Sequence, residues 1–185
     1  MLGGSLVVDS TFRFAGAVAG TEAPPEVIAD LALVTVRYCG FDGQSHEGQL
    51  IVHRDLTREI REIFALFEAQ RFPVSHCIPI ARYGWSDEAS MAADNTSAFN
   101  YRFVAGTQRL SLHALGRAID INPFRNPVLY PDGRLVPSGA DYRPGAPGVF
   151  MDGDPAVRLF VALGWRWGGH FTHCQDRHHF EKPGG

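Results

Sequence analysis

The sequence predicts an α+β fold in which helices flank a small, mainly antiparallel sheet. Short segments in which apolar and polar residues alternate are typical of strands, and they occur in groups along the chain. Segments with apolar residues at helical spacing lie between these groups, an order that favours α+β over alternating strand and helix units. The chain has 185 residues, of which 45% are apolar, so a domain of this size buries enough surface to fold without a metal ion. A metal site in it is therefore expected to serve function rather than folding.

Residues 1–30 differ from the rest of the chain in composition. They are rich in Gly, Ala and Pro, contain the breaker Pro24-Pro25 and show no sustained period. We interpret them as a loosely attached N-terminal segment, and we assign residues 31–185 to a single domain.

The clearest elements of the domain follow directly after this segment. Alternation over residues 31–38 ends at the Gly-containing turn 40–43, which predicts a strand and a turn. Residues 49–53 alternate again and predict a second strand. Apolar residues then recur at helical spacing over residues 56–67, which predicts an amphipathic helix of about four turns, capped by Asp55, that packs on the sheet.

The second half of the chain contains shorter elements. A short helix is predicted over residues 86–94 and a strand over residues 96–104. Residues 122–148 hold six of the twelve prolines, so they cannot form a helix, and a loop of this length in a compact domain is usually functional. A last helix is predicted to start at Asp154, as its N-cap, and to stop at Gly164.

Charge and hydropathy argue against two classes of partner. The chain carries 17 Lys and Arg against 20 Asp and Glu, a net charge of −3, without a basic run, so nucleic acid and anionic membrane surfaces are not expected as partners. No apolar run is long enough for an integral membrane segment, and residues 1–14 lack the cationic start of an ordinary signal peptide. An export signal removed earlier by processing stays open, so localisation follows only from function.

The three cysteines, Cys39, Cys77 and Cys174, are widely spaced and form no C-x-x-C pair. This pattern is typical neither of a disulfide framework nor of a thiolate zinc site. We interpret them as small buried apolar residues, and a bridge between Cys39 and Cys77 stays open.

The stretch from Ser111 to Asp120 carries a first chemically active pair, His113 and Asp120. In a single helix the two residues would lie about 10.5 Å apart along the axis, too far to share an ion through bonds of about 2 Å. We therefore predict a turn at His113 and a chain reversal at Gly116, followed by a strand that carries Asp120. The alternative is a surface histidine and a solvated aspartate on an edge strand, and spacing alone leaves it open.

Histidines and carboxylates also crowd the C-terminal end of the chain. Since neighbouring residues of a strand point to opposite faces, only one of His178 and His179 is expected to join a common site. Asp176 can lie on the preceding turn and accept a proton from a water that an open-position zinc has made acidic, as metal-assisted hydrolysis requires. His170 and His173 form a rival H-x-x-H pair, interpreted as outer or surface residues because no H-E-x-x-H motif is present.

The motifs S-x-H-x-x-G-x-A-x-D at residues 111–120 and D-x-x-H-F-E at residues 176–181 together resemble the LAS-type zinc metallopeptidases. These are D-alanyl-D-alanine carboxypeptidases and L-alanyl-D-glutamate endopeptidases of bacterial and phage cell-wall metabolism. The similarity continues at residues 71–73, 95–102 and 164–169. It covers roughly residues 35–182 and implies a fold like that of Hedgehog and the DD-peptidases.

The resemblance also implies roles for individual residues. The implied zinc ligands are His113, Asp120 and His179. A water or substrate oxygen would take the fourth position, and Asp176, three residues before the last histidine, would be the general base. Arg102 would hold a substrate carboxylate or the oxyanion of the tetrahedral intermediate, with Ser111 as a nearby hydrogen-bond donor. A surface salt bridge is the alternative for Arg102.

We predict from these features a zinc-dependent peptidase that hydrolyses the peptide stem of peptidoglycan, foremost a D-alanyl-D-alanine carboxypeptidase. Two alternatives stay open, an endolysin-like L-alanyl-D-glutamate endopeptidase and a catalytically inactive zinc-bearing domain that binds cell-wall peptides. Asp176 argues against the inactive domain, because a binding module gains nothing from a poised base. An extracytoplasmic location, periplasmic or secreted, is expected from this function, and the sequence does not indicate the oligomeric state.

Overall fold

The computed structural model describes residues 6–104 and 106–184, so the first five residues of the predicted N-terminal segment lie outside the described residues. The α-helices are Phe14–Ala17 (α1), Pro25–Ala29 (α2), Thr57–Gln70 (α3), Asp87–Ala92 (α4) and Pro155–Ala162 (α5). The strands are Val7–Val8 (β1), Leu31–Cys39 (β2), Ser45–His53 (β3), His76–Cys77 (β4), Asn95–Thr96 (β5), Ala118–Asp120 (β6), Val128–Leu129 (β7), Leu135–Val136 (β8), Arg166–Trp167 (β9), Gln175–Asp176 (β10) and His179–Glu181 (β11). The 3-10 helices are Arg54–Leu56, Ile80–Tyr83, Leu112–Leu115 and Gly168–His170.

The predicted α+β class with mainly antiparallel pairing is confirmed, but the strands form several small sheets instead of one. β2 and β3 form a long antiparallel hairpin that β1 joins in parallel. β6, β11 and β9 form a second, antiparallel sheet, β10, β7 and β8 a third, and β4 with β5 a parallel pair. Prolines such as Pro123 and Pro183 follow several of the short strands closely, and because proline cannot donate to a ladder these strands stay short.

The core lies between the long hairpin, α3 and the β6-β11-β9 sheet. The apolar stripe of α3 is fully buried at Ile60, Ile63, Phe64 and Phe67. Phe180 of β11 stacks on Phe160 of α5 with ring centroids 3.9 Å apart, so the sheet of the second motif shares one core with the hairpin. Burying each such side chain stabilises the fold by about 1.5–3 kcal/mol.

The start of α3 differs from the prediction. The predicted N-cap Asp55 lies inside the 3-10 helix Arg54–Leu56, which precedes α3 directly. The imidazole of His53 accepts the backbone N–H of Asp55 at 3.3 Å, so histidine takes the capping position that the sequence pattern assigned to aspartate. The helix ends at Arg71, which is left-handed with φ 52°.

The interpretation of the N-terminal segment as loosely attached is wrong for residues 6–30. The Gln49 side chain accepts the backbone N–H of Phe12 at 2.8 Å and donates to its carbonyl at 3.1 Å. Ala17 packs with Leu31 and Ile51 in a second apolar cluster, so residues on both sides of the predicted boundary share a core. Composition misses this attachment because it depends on partners that are distant along the chain.

A group of polar side chains, which we call the N-terminal clasp, fastens the segment that follows β1 to the hairpin. It consists of Asp9, Tyr38, Asp42 and His46. The Tyr38 hydroxyl donates to Asp9, and His46 Nδ1 lies 3.1 Å from Asp9 Oδ1. His46 Nε2 lies 3.1 Å from Asp42 Oδ1 on the hairpin turn, so one imidazole joins the segment to the turn.

The remaining predictions have mixed outcomes. The short helix predicted over residues 86–94 is α4, with the Ser86 hydroxyl as its N-cap acceptor, and the predicted last helix is α5. The strand predicted over residues 96–104 is wrong, because only Asn95–Thr96 is a strand there. The loop 122–148 contains no helix and carries the short hairpin of β7 and β8.

The cysteine and membrane predictions can also be compared with the fold. The three cysteines are free, so the Cys39–Cys77 bridge is absent from the described residues. Cys77 is fully buried, as predicted, while Cys39 and Cys174 are partly exposed. None of the helices in the described residues has the length and apolar character needed to cross a membrane.

Candidate metal centre

Side chains from the two sequence motifs converge at the β6-β11 pair. His113, Asp120 and His179 each place one ligand atom within 4.8 Å of the others, and we call these residues the metal-ligand cluster. His113 Nε2 lies 3.1 Å from Asp120 Oδ2 and 3.1 Å from His179 Nδ1. His179 Nδ1 lies 2.9 Å from Asp120 Oδ1. Two imidazoles and a carboxylate in this arrangement can hold a metal ion.

The turn that carries His113 is fixed at both ends. The Ser111 hydroxyl accepts the backbone N–H of His113 at 3.2 Å and caps the 3-10 helix Leu112–Leu115. Gly116 ends this helix with φ 63°, and a Cβ atom there would approach His53 N to 2.6 Å. Glycine is therefore required both for its conformation and for its closeness to the hairpin. The predicted turn and chain reversal are confirmed.

Asp120 and His179 come together through strand register. β6 pairs with β11 so that Asp120 stands opposite His179, and opposite residues on one face of a sheet lie close. The backbone of Asp120 is held on its other side by Ser97, through hydrogen bonds of 2.9 and 3.1 Å. Asp120 is 3% exposed, which excludes the alternative of a solvated edge-strand carboxylate.

Hydrogen bonds outside the cluster decide which ring nitrogen each histidine turns inward. His113 Nδ1 lies 2.5 Å from Ala98 O, so this nitrogen donates to the carbonyl and Nε2 faces the cluster. His179 Nε2 lies 3.2 Å from Glu181 Oε2, and Arg166 holds the other Glu181 oxygen at 2.6 Å. Such outer partners set the orientation and basicity of metal ligands.

The electrostatics of the cluster favour its charged forms. Burial raises the pKa of Asp120, but the positive charges of His113 and His178 and hydrogen bonds from His113 and His179 outweigh it and hold the pKa well below its usual range. Burial lowers the pKa of His179, yet hydrogen bonds to Asp120 and Glu181 raise it to about 10.

Asp176, the predicted general base, lies in β10 beside the metal-ligand cluster. Gly168 packs between the two, because a Cβ atom on Gly168 would come within 2.9 Å of Asp176 Cβ and 3.2 Å of His179 Cβ. Asp176 Oδ1 is buried and makes no hydrogen bond within the described residues. The Asp176 carboxylate therefore lies close to His179 of the cluster.

His178 also lies near the site, which corrects the prediction from strand alternation. β11 begins at His179, so His178 belongs to the preceding turn and its side chain is not forced to the opposite face. Its Nε2 atom lies 3.0 Å from Asp176 Oδ1 and 4.0 Å from Asp120 Oδ1. Of the two neighbouring histidines, His179 belongs to the group of converging ligand atoms in the described residues and His178 does not.

Arg102 and Ser111 lie on neighbouring backbone, but no contact joins the Arg102 side chain to the cluster in the described residues. Arg102 Nη2 pairs with Asp87 Oδ2 of α4 at 3.0 Å, and both side chains are 31% exposed. Its carbonyl accepts the backbone N–H of Ser111 at 3.0 Å, and its Nε atom is buried without a partner. The substrate-binding roles of Arg102 and Ser111 stay predictions.

The rival histidine pair lies at the surface, as interpreted from the sequence. His170 and His173 are exposed, and His170 Nε2 contacts Asp152 Oδ1 at 3.0 Å. His173 stacks on Phe171 with ring centroids 5.6 Å apart. Neither belongs to the metal-ligand cluster.

Sequence reasoning missed two residues that shape the site, Gly168 and Asn126. The Gly168-Gly169 pair was a visible signal for a close backbone approach, since glycine is favoured where a side chain would not fit. Asn126 O accepts a hydrogen bond from His178 Nδ1 at 2.8 Å. This residue lies in an aperiodic loop, and no pattern in the sequence indicated its contact.

Comparison with known proteins gives one match. A family model described as D-alanyl-D-alanine carboxypeptidase matches residues 105–182. No curated protein and no solved structure matches the chain. The matched segment contains all of the metal-ligand cluster together with Asp176, whereas Arg102 precedes it.

Proposed function

We propose that this protein is a zinc-dependent peptidase that removes a C-terminal D-alanine from the peptide stem of peptidoglycan. The match of residues 105–182 to a family model described as D-alanyl-D-alanine carboxypeptidase supports this proposal. The observation that carries the proposal is the convergence of His113, Asp120 and His179 beside the Asp176 carboxylate, which lies across Gly168 from His179. A ligand set and a nearby carboxylate are the two parts that metal-assisted hydrolysis requires.

The donor set of the metal-ligand cluster fits zinc. Two imidazole nitrogens and one carboxylate oxygen are ligands that zinc accepts, and three protein ligands leave a position for water or substrate, as in catalytic sites. The outer hydrogen bonds of His113 and His179 hold both rings in place for an ion. When bound, zinc would polarise the scissile carbonyl and make a water molecule acidic near neutral pH.

Asp176 is the proposed general base. Its carboxylate would take a proton from the attacking water and pass it to the leaving amine, so that a C–N bond breaks and the elements of water are added. The position of Asp176 beside His179, across Gly168, supports this role. Glu181 is a weaker candidate, because its two oxygens are already engaged by His179 and Arg166.

Arg102 is the proposed receptor for the free carboxylate of the substrate. A carboxypeptidase must recognise that group, and a guanidinium binds it through two parallel hydrogen bonds. The contact with Asp87 leaves the buried Nε atom of Arg102 without a partner. Ser111, whose backbone N–H binds the Arg102 carbonyl, retains a hydroxyl proton that it can donate to substrate.

The substrate class also determines the proposed location. Peptidoglycan lies outside the cytoplasmic membrane, so we place the protein in the periplasm or among secreted proteins. The proposed partner is the stem peptide alone.

The proposal is tested with synthetic stem peptides that end in D-Ala-D-Ala, incubated with the zinc-loaded protein and analysed by mass spectrometry. The expected product is the peptide shortened by one D-alanine. A matched peptide with an amidated C-terminus should have a much higher KM, because it lacks the carboxylate that Arg102 would bind. The zinc-loaded Asp176→Ala variant serves as the control for contaminating peptidases.

Other outcomes would replace this proposal. Equal cleavage of the free acid and the amide, with a new end between L-alanine and D-glutamate, would identify an endopeptidase. Tight binding of the stem peptide without any product would instead identify a cell-wall-peptide binding domain.

A further inference from the structure

His178 is a buried histidine that the proposed function does not use. It lies in the turn between β10 and β11 and is 3% exposed. Its Nδ1 atom lies 2.8 Å from Asn126 O, and its Nε2 atom lies 3.0 Å from Asp176 Oδ1. The ring therefore connects the long loop to the proposed general base.

Asn126, the loop residue that His178 contacts, is held in place by several hydrogen bonds. Asn126 is fully buried, its Oδ1 atom accepts the backbone N–H of Phe150 at 2.7 Å, and its Nδ2 atom donates to Gly148 O at 2.9 Å. These bonds tie the beginning of the loop to its end. The Asn126 carbonyl is consequently a fixed acceptor for the His178 ring.

At the other end of the His178 ring, the Asp176 side chain has little support of its own. The backbone of Asp176 is held by β7, where Val128 stands opposite it, but its Oδ1 atom makes no hydrogen bond to any residue that the structure describes. Within the described residues, the approach of His178 Nε2 is the one ion-pair contact of this carboxylate. An aspartate side chain without support would sample several rotamers, and few of them would face the metal-ligand cluster.

We propose that His178 is a positioning residue, which holds the Asp176 carboxylate toward the metal-ligand cluster from the fixed Asn126 carbonyl. The catalytic part of this inference rests on the proposed role of Asp176. His178 is not expected to bind the ion, because its Nδ1 atom is engaged by Asn126 and its Nε2 atom lies outside the group of converging ligand atoms.

Three substitutions separate the two ends of the ring. His178→Asn keeps a donor near the Nδ1 position for Asn126, His178→Gln keeps a donor near the Nε2 position for Asp176, and His178→Ala keeps neither. His46→Gln is the matched control, since His46 is also buried and also contacts aspartates, but it lies in the N-terminal clasp. Thermal unfolding of all four variants checks that each is folded.

The first readout does not depend on activity. Crystal structures of the wild type and of His178→Ala should show one Asp176 rotamer in the wild type and a displaced or multiple rotamer in the variant. Zinc content and the visible spectrum of the cobalt-loaded protein should be unchanged. An unmoved Asp176 side chain would overturn the proposal, and a changed cobalt spectrum would show that His178 is a ligand instead.

The second readout is steady-state kinetics on whichever stem peptide the wild type cleaves. His178→Ala and His178→Asn should lower kcat about 10- to 100-fold, the usual effect of losing an outer partner of a metal site, with KM unchanged. His178→Gln should restore most of kcat. Equal losses in all three variants, or a loss confined to KM, would overturn the positioning role. A wild type that cleaves no peptide would contradict the proposed function, while the structural readout would still decide the position of Asp176.

Discussion

The metal-ligand cluster and the N-terminal clasp are both built around buried histidine and aspartate side chains, but they differ in the number of imidazoles for each carboxylate, and the Asp42 side chain of the clasp is partly exposed. The metal-ligand cluster has two imidazoles around one carboxylate. The clasp has one imidazole, His46, between the carboxylates of Asp9 and Asp42. The first arrangement brings three potential ligand atoms together, whereas in the second a single imidazole contacts both carboxylates.

The directions of the ring nitrogens explain this difference further. In the metal-ligand cluster each histidine uses one nitrogen for an outer acceptor, Ala98 O or Glu181, and turns the other nitrogen inward. In the clasp both nitrogens of His46 face carboxylates, and the Tyr38 hydroxyl donates to Asp9 as well. In the metal-ligand cluster the outer acceptors leave one nitrogen of each ring facing the other ligand atoms, an arrangement that suits a metal ion.

The largest expected effect is on metal content. His113→Ala and His179→Ala should each lose most of the bound zinc, because two protein ligands hold the ion much less tightly than three. Inductively coupled plasma mass spectrometry of the dialysed protein measures the stoichiometry, which should be about one ion per chain in the wild type.

The controls for this prediction come from the clasp and from the surface. His46→Ala, His170→Ala and His173→Ala should keep their zinc. Zinc lost from His46→Ala but kept in His113→Ala would reverse the assignment of the two clusters. Circular dichroism should show that all variants stay folded, since the apolar core does not depend on the ion.

The second effect is on turnover. Asp176→Ala should keep zinc and lose about 10²- to 10⁴-fold in kcat, the usual contribution of a positioned general base. Glu181→Ala should lose less, because Glu181 touches His179 and acts through the orientation of that ligand. Steady-state kinetics with matched zinc content measures both. If Asp176→Ala kept a near-normal kcat while Glu181→Ala were inactive, the roles assigned to the two carboxylates would have to be exchanged.

The sequence predicted the ligands better than it predicted their surroundings. The set of His113, Asp120 and His179 was predicted through the resemblance of two motifs to a known family, and one turn, one glycine and two short strands bring these residues together. The prediction for His178 was wrong because it assumed that this residue belongs to a strand, whereas β11 begins one residue later, at His179. Asn126 and the pairing of Arg102 with Asp87 depend on loops that meet only in the folded chain, and loops carry no periodic signal.

The secondary structure likewise divides into long elements that the sequence predicted and short ones that it missed. The β2-β3 hairpin and α3 were predictable, since long elements repeat their pattern several times. Two-residue strands such as β5 and β10 are too short to show an alternating pattern, and they form only because a partner strand pairs with them. The N-terminal clasp was missed for this reason, because Asp9 finds Tyr38 and His46 only across the hairpin.

The third prediction tests whether the clasp is purely structural. Asp9→Asn should lower the free energy of unfolding by about 1–3 kcal/mol, because it weakens the buried acceptor of both Tyr38 and His46. The Asp9 side chain is 8% exposed, so water cannot replace the lost contacts. Urea unfolding measures the change, and the exposed substitution Asp132→Asn should shift it by less than about 0.5 kcal/mol. Loss of zinc from Asp9→Asn would contradict the separation of clasp and metal-ligand cluster.

The smallest effect is expected at the other end of the clasp. A hydrogen bond from the Gln44 backbone lowers the pKa of Asp42 most, burial opposes it, and His46 adds to the lowering. Because the folded pKa is depressed, the charged carboxylate contributes stability above the ordinary aspartate value of about 3.9, and this contribution disappears as the pH falls through the lowered folded value. Asp42→Asn should therefore be less stable than the wild type at pH 6, by less than Asp9→Asn is, since the Asp42 side chain is 44% exposed. The difference should shrink as the pH falls below about 4, as measured by urea unfolding at each pH. A difference that is the same at every pH would mean that the carboxylate acts through its shape and hydrogen bonds rather than through its charge.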